Sequence, residues 1–313
     1  MFSICLPVYN RANMLPNALG SALGQDFRDF EIVVVDDAST DDVPDVIRRY
    51  TEPRIRAYRN EVNVGLYANH NICLQYARAE WVVFLHTDDV LDRNALSIFG
   101  AYLRTNADVA VWFPAKEMHR RHVVAEPVLL SGAQGAARLC RWPAAAPTGA
   151  LLRKQTIDRF DETTPAADLK AYFRILLNGG TVALIPEQTV HIGEGAHQYT
   201  HRWLRTGQFT RDVAAVFGEL RGHTALEECL KSDFPSWSTS EQARFLMFLS
   251  HAGNRELISQ LERRVENRDA LSADRRYAHV KLYKILGTHG LSLMFRLAKM
   301  WRAVEHFVGT QTK

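Results

Sequence analysis

Through the first two hundred positions, short runs of consecutive apolar residues alternate with longer stretches whose apolar positions recur every three to four residues. Residues 2–8 and 31–35 are too short and too β-branched to be helices, and each runs directly into polar residues, the pattern of a strand buried on both faces. Residues 13–24 space Leu15, Ala18, Leu19 and Ala22 on one helical face. A further helix is predicted from Asp41 or Asp42, with Pro44 in its first turn and Val46, Ile47 and Tyr50 inward. Residues 54–58 read as a weaker strand, 66–78 as a helix and 81–85 as another buried strand. Beyond these come strands at 109–113 and 181–185 and a helix near 168–177, while 114–152 lacks a clear period. After Trp203 the pattern is helical to the end.

Strands alternating with helices predict a doubly wound, mostly parallel sheet with helices on both faces, followed by a C-terminal helical extension. The expected division is 1–205 for the α/β domain and 206–313 for the helical region. In such sheets ligands bind beyond the carboxyl ends of the strands. Three predicted strand ends carry polar clusters there: Pro7 to Arg11, Asp36 to Ser39, and His86 to Asp89.

Composition narrows the options. The chain has 313 residues, 47% hydrophobic and 23% charged, enough for one large α/β core and an appendage. A net charge of +3 is too small to suggest nucleic-acid binding. Four scattered cysteines, with no C-x-x-C pair, point to neither a zinc site nor a disulfide framework, and a reducing compartment fits best. The N-terminus lacks the basic segment and cleavage signal of a secretory leader, and no run of about 18 apolar residues could span a bilayer. The expected location is cytoplasmic, or peripheral to the inner face of the membrane. Residues 291–308 pattern as an amphipathic helix, with Arg296, Lys299, Arg302 and His306 on one side. Docking onto its own domain or a second copy suits that pattern, and so does resting on an anionic membrane surface.

Four ordered elements together resemble the inverting family 2 glycosyltransferases, which have the Rossmann-like GT-A fold. They are Pro7-Val8-Tyr9-Asn10-Arg11, then Val35-Asp36-Asp37-Ala38-Ser39-Thr40-Asp41, then Asn63-Val64-Gly65 with Ala68 to Asn71, and finally Phe84 to Asp89. The resemblance covers residues 2 to 200 and implies a nucleotide-sugar donor and a glycan or lipid-linked glycan acceptor, in surface polysaccharide or glycolipid assembly. It assigns Pro7 and Tyr9 to the nucleoside and Asp37 to the imide N–H of a uracil or thymine, which a carboxylate accepts well. An Asx turn is the structural alternative there, better suited to Asp36 or Ser39. It places Gly65 and Thr87 along the donor, and Asp89, with Asp88 nearer the sugar, at an Mn²⁺ or Mg²⁺ ion that neutralises the diphosphate. The alternative is that Asp88 and Asp89 only cap a helix starting near Arg93.

Two positions depart from the family's commoner pattern. His86 stands where many relatives carry aspartate, and His70 where many carry arginine or lysine. The diphosphate is then expected to lean on Arg11 or on a protonated His70. Inverting transfer also needs a base to deprotonate the acceptor hydroxyl. Asp168, after a Pro-bearing loop and at the start of a helix, matches the family's position, with Asp161 and Glu162 as weaker substitutes and a dipole-favoured aspartate as the structural alternative. His191, His197 and His201 are open candidates for a further contact to the metal or diphosphate. Other classes fit less well. A phosphohydrolase of the haloacid dehalogenase type would want Asp-x-Asp where Asp36-Asp37-Ala38 stands, and a dehydrogenase would want G-x-G-x-x-G after the first strand. A non-catalytic sugar-nucleotide binding module would not need Asp168.

Overall fold

The apolar runs become strands, and their order in the sheet differs from their order in the chain. The computed structural model describes residues 1–104, 109–114, 125–141, 148–164, 166–193 and 208–287. Tertiary contacts divide the chain into two units, Met1–Trp203 and Leu204–Lys313.

In the first unit, β1 (Phe2–Val8), β2 (Phe30–Asp36), β3 (Ile55–Arg59) and β4 (Trp81–Phe84) pair in parallel in the order β3-β2-β1-β4. Helix α1 (Leu15–Leu23) follows β1, α2 (Val43–Arg48) follows β2 and α3 (Leu66–Tyr76) follows β3. Alternate β1 residues serve opposite faces, as a period of two requires. Ile4, Leu6 and Val8 join Leu15, Ala18, Leu19 and Ala22 in one fully buried cluster. Cys5 points the other way, its thiol donating to the Cys73 carbonyl of α3 at 3.7 Å. Each large side chain so covered contributes about 1.5–3 kcal/mol, which explains why both faces of these strands are apolar in the sequence.

Beyond β4 the sheet becomes mixed. It continues through β8 (Leu151–Arg153), β6 (Val109–Pro114), β9 (Thr181–Ile185) and β7 (Val128–Ser131), with β8 antiparallel to both neighbours and β7 antiparallel at the edge. A two-stranded ribbon pairs β5 (Val90–Leu91) with β10 (Val190–His191). Helix α4 (Ala95–Leu103) follows β5, α5 (Gly132–Arg141) follows β7, α6 (Lys154–Ile157) follows β8 and α7 (Ala167–Leu177) precedes β9. The aperiodic stretch of the sequence thus hides β7, α5 and β8. Helix α5 is rich in small residues because it lies close to its neighbours: a Cβ on Gly135 would meet a Leu130 backbone atom at 2.9 Å. Strand β8 has three residues, too few to show a period.

The second unit is helical among the described residues, with α8 (Gln208–Glu219), α9 (Thr224–Asp233), α10 (Thr239–His251), α11 (Arg255–Glu262), α12 (Arg268–Ala273) and residues 277–287. Phe217, Phe245, Phe248, Phe234 and Trp237 form its aromatic centre, with ring centroids 5.3–6.3 Å apart. A capping box starts α10, in which Ser238 and Glu241 satisfy each other's backbone amides. Among the described residues no helix is long and apolar enough to cross a membrane. The amphipathic segment 291–308, His197 and His201 lie outside the described residues.

Candidate active site

The exits of β1, β2 and β4 lie side by side because β1 sits between the other two. The first two exits are laced together. Asn10 takes a positive φ of 51°, its amide donates to Ser39 Oγ at 3.0 Å, and its Oδ1 accepts the Thr40 amide at 2.7 Å. Ala12 N donates to Asp41 at 2.9 Å. Tyr9, 45% exposed, projects from this wall beside Pro7 and Arg11, whose guanidinium reaches the Asn10 carbonyl at 3.3 Å.

The two aspartates at the end of β2 divide their work. Asp36 accepts the Ser39 amide at 2.9 Å and pairs with Arg59, so it shapes the turn, as the Asx alternative anticipates. Asp37, 2% exposed, holds the following loop: it accepts Val64 N at 2.9 Å, Gly65 N at 3.0 Å and Asn60 Nδ2 at 2.8 Å. Gly65 enters α3 at φ 93°, a conformation that suits glycine. Three donors on a carboxylate with about four lone-pair sites leave room for one more.

Helix α3 then ties the β4 exit to the start of α7. Its Asn69, His70 and Asn71 are all buried. Asn69 anchors the helix to the Val35 carbonyl at 3.0 Å. Asn71 both donates to and accepts from the Phe160 backbone, at 3.0 and 2.8 Å, fixing the loop that leads to α7. Tyr67 donates to Asp168 Oδ1 at 3.0 Å. His70 contacts the Leu66 carbonyl through Nδ1 at 2.7 Å and His86 through Nε2 at 3.0 Å. An unbroken series of contacts therefore runs from Asp168 through Tyr67, His70 and His86 to Asp89, since Tyr67 and His70 pack ring to ring and His86 Nδ1 lies 3.8 Å from Asp89.

Burial sets the electrostatics. Asp168, in the first turn of α7, is pushed above the ordinary aspartate value by desolvation, against the pull of the Leu169 amide and the Tyr67 hydroxyl. A carboxylate so raised is a better proton acceptor. Asp89 is raised too, by desolvation first and by repulsion from Asp88, while His86, the Gly193 amide and Thr148 pull it back. Asp89 Oδ1 accepts Gly193 N at 3.0 Å. A Cβ on Gly193 would come within 2.0 Å of the Asp88 carbonyl, so only glycine lets this segment lie there. Thr87 is buried between Asp88 and His86, and α4 starts only after β5, so Asp88 and Asp89 do not cap it.

Other candidates are committed elsewhere. Burial, then the neighbouring His86, drives His70 down to about 3; it is neutral at physiological pH and has no charge to offer a diphosphate, contrary to the protonated role expected from the sequence. Asp161 is pulled well below the carboxylate range by Lys170 and Thr163, which makes it a poor base. Glu162 is lowered by Asn71 and Arg159. His191 is held between Asp92 and Gln188 at 2.8 and 2.9 Å. Among the described residues no three His, Cys, Asp or Glu side chains converge as a metal site, so a cation at Asp89 would draw its other ligands largely from substrate and water.

The sequence reading did not single out Tyr67, Tyr172, Thr148 or Gly193. The Tyr172 hydroxyl is buried near the charge of Asp168 and has no hydrogen-bond partner among the described residues. One signal was available: three consecutive polar residues, 69–71, sit in a helix with scarcely a polar face, and buried polar groups need partners.

With this geometry in place, comparison with known proteins is informative. The family model for glycosyl transferase family 2 matches residues 3–159. The GalNAc(5)-diNAcBac-PP-undecaprenol beta-1,3-glucosyltransferase of Campylobacter jejuni is 39% identical over 98 residues, 30% of this chain and 32% of that protein. The chain spans about a third of the length of the curated relatives it matches there. Staphylococcus aureus TarS 1-349 in complex with UDP-GlcNAc superposes with a TM-score of 0.64 at 19% identity, over 95% of this chain and 92% of that one. A mannosyltransferase from Pyrobaculum calidifontis, in complex with GDP-Man and Mn²⁺, gives 0.59 at 16% identity over 91% and 86%. The sheet with its flanking helices is the GT-A fold of these neighbours.

Proposed function

The chain belongs to glycosyl transferase family 2, and on that premise we propose that it moves a sugar from a nucleotide-diphosphate donor to a hydroxyl acceptor with inversion at the anomeric carbon. UDP-sugars are the first donors to test, and the acceptor is a growing surface glycan or lipid-linked glycan. The reading rests on one observation above the others: α3 joins two raised carboxylates, Asp89 at a strand exit and Asp168 at a helix start, through Tyr67, His70 and His86.

In this reading Asp168 accepts the proton of the acceptor hydroxyl as its oxygen attacks, and Tyr67 keeps the carboxylate aimed. Tyr172, whose buried hydroxyl has no partner among the described residues, lies near that charge. Pro7 and Tyr9 receive the nucleoside, Asp37 spends its remaining lone pair on the base, and Arg11, Gly65, Thr87 and Asp88 line the donor. A divalent ion, Mn²⁺ or Mg²⁺, fits at Asp89, a buried carboxylate with one oxygen fixed by Gly193; bound there, it would neutralise the departing diphosphate. Residues 1–205 are proposed as the catalytic part, and the helical region as the part that docks to a second copy or a membrane surface.

Thermal denaturation with UDP, GDP or dTDP, with and without Mn²⁺, tests the reading on the parent and Asp89→Ala. Stabilisation by one nucleotide that needs both metal and Asp89 is expected, reaching about 2.7 kcal/mol at a hundred times Kd. No response to any nucleotide would sink it. Binding without turnover across varied acceptors would favour a non-catalytic sugar-nucleotide binding protein, and release of phosphate from a monoester would favour a phosphohydrolase.

A further inference from the structure

Among the described residues, the histidines at positions 70 and 86 form a pair whose hydrogen atoms can be placed from their neighbours alone. The Leu66 carbonyl can only accept, so His70 Nδ1 carries a hydrogen and donates at 2.7 Å. His70 is wholly buried, packed against Phe84 and Phe160 with ring centroids 4.7 and 6.0 Å away. An imidazolium there would have no anion beside it, so the ring is neutral and Nε2 bears a lone pair. His86 Nε2, 3.0 Å away, must then be the donor.

In the deprotonated form that a metal ligand must take, His86 would then carry its lone pair on Nδ1, the nitrogen facing Asp89. Asp89 Oδ1 is occupied by the Gly193 amide at 3.0 Å, and its Oδ2 lies 3.8 Å from His86 Nδ1. The separation is too long for a hydrogen bond. Each group is fixed from behind, His86 by His70 and Asp89 by Gly193, so the two facing atoms are placed to share a cation. For bonds of about 2.0–2.1 Å to an octahedral ion, neighbouring ligands sit about 3 Å apart and opposite ones about 4 Å, a span that brackets this gap. Ligating histidines typically have their second nitrogen engaged by a fixed partner, which is the place His70 fills.

Resting on the proposal that Asp89 binds the donor's cation, we infer that His86 Nδ1 is a second protein ligand to that ion, making the site a mixed nitrogen and oxygen one. Imidazole suits transition metals such as Fe²⁺, Ni²⁺ and Zn²⁺, whereas all-oxygen sites suit Mg²⁺ and Mn²⁺; of the last two, Mn²⁺ is the softer and accepts a nitrogen ligand more readily. An imidazole at position 86 therefore sets metal preference, and His70 is a positioning residue for it.

The experiment titrates Mn²⁺ and Mg²⁺ into the full chain with UDP present, for the parent, His86→Gln, His86→Asp and Asp89→Asn, and records pulsed electron paramagnetic resonance of the Mn²⁺ complexes. Expected are a nitrogen coupling in the parent that disappears in H86Q, and Mn²⁺ affinity about 10–100-fold weaker in that variant. The preference for Mn²⁺ over Mg²⁺ should shrink in H86D, which restores an oxygen ligand and guards against misfolding as an explanation. Mn²⁺ binding that needs Asp89 but shows no nitrogen coupling, or one that survives in H86Q, overturns the inference and leaves the metal reading standing. Absence of Mn²⁺ binding in the parent overturns both.

Discussion

Asp168 is under two opposing demands, burial that disfavours its charge and a reaction that needs it. Asp168→Asn keeps an oxygen for the Leu169 amide and the Tyr67 hydroxyl, so the fold should survive while transfer falls by about 10²–10⁴-fold. A carboxyl whose folded pKa is raised favours the folded state below its unfolded pKa, and that advantage is lost as pH rises through the folded pKa. The Asn variant should therefore melt higher than the parent at neutral pH, and the gap should close as pH falls below the ordinary aspartate value, about 3.9. Equal melting at both pH values would refute the assignment. Tyr67→Phe removes a bond to the carboxylate, so the acid limb of kcat/KM should move to higher pH.

At the scale of elements, the site is held by loops that borrow side chains from their neighbours. Asp37→Ala strands the Val64 and Gly65 amides, and denaturation should show a loss of about 1–3 kcal/mol together with weaker nucleotide binding. Gly193→Ala places a methyl against the Asp88 carbonyl and draws the amide away from Asp89. Nucleotide affinity in the presence of Mn²⁺ should drop about 10–100-fold with little change in its absence. Helix α3 shows how far local pattern reaches: its existence and start at Gly65 follow from periodicity and a glycine, yet its polar residues find partners as far as 34, 89 and 101 positions away.

For the whole molecule, the division into two units predicts two separable unfolding events. Phe245→Ala empties the aromatic centre of the helical unit, at a cost of about 3–5 kcal/mol. Calorimetry should show one transition lowered, while the transition that nucleotide and Mn²⁺ raise stays in place. A single transition that both perturbations move would argue for one cooperative body instead.

The sequence by itself determined the parallel half of the sheet, the helices between its strands, and the polar strand ends where a ligand would sit. These follow from periodicity, from proline and glycine, and from the rule that apolar runs are buried on both faces. It could also name Asp37, Asp88, Asp89 and Asp168 as candidates, because their motifs are local. Only the tertiary structure decided what state those groups are in. Desolvation, which raises Asp89 and Asp168, and the neutrality of His70 depend on what packs around them. So do the tasks taken on by Tyr67 and Gly193, because a hydrogen bond across about a hundred residues leaves no period in the chain.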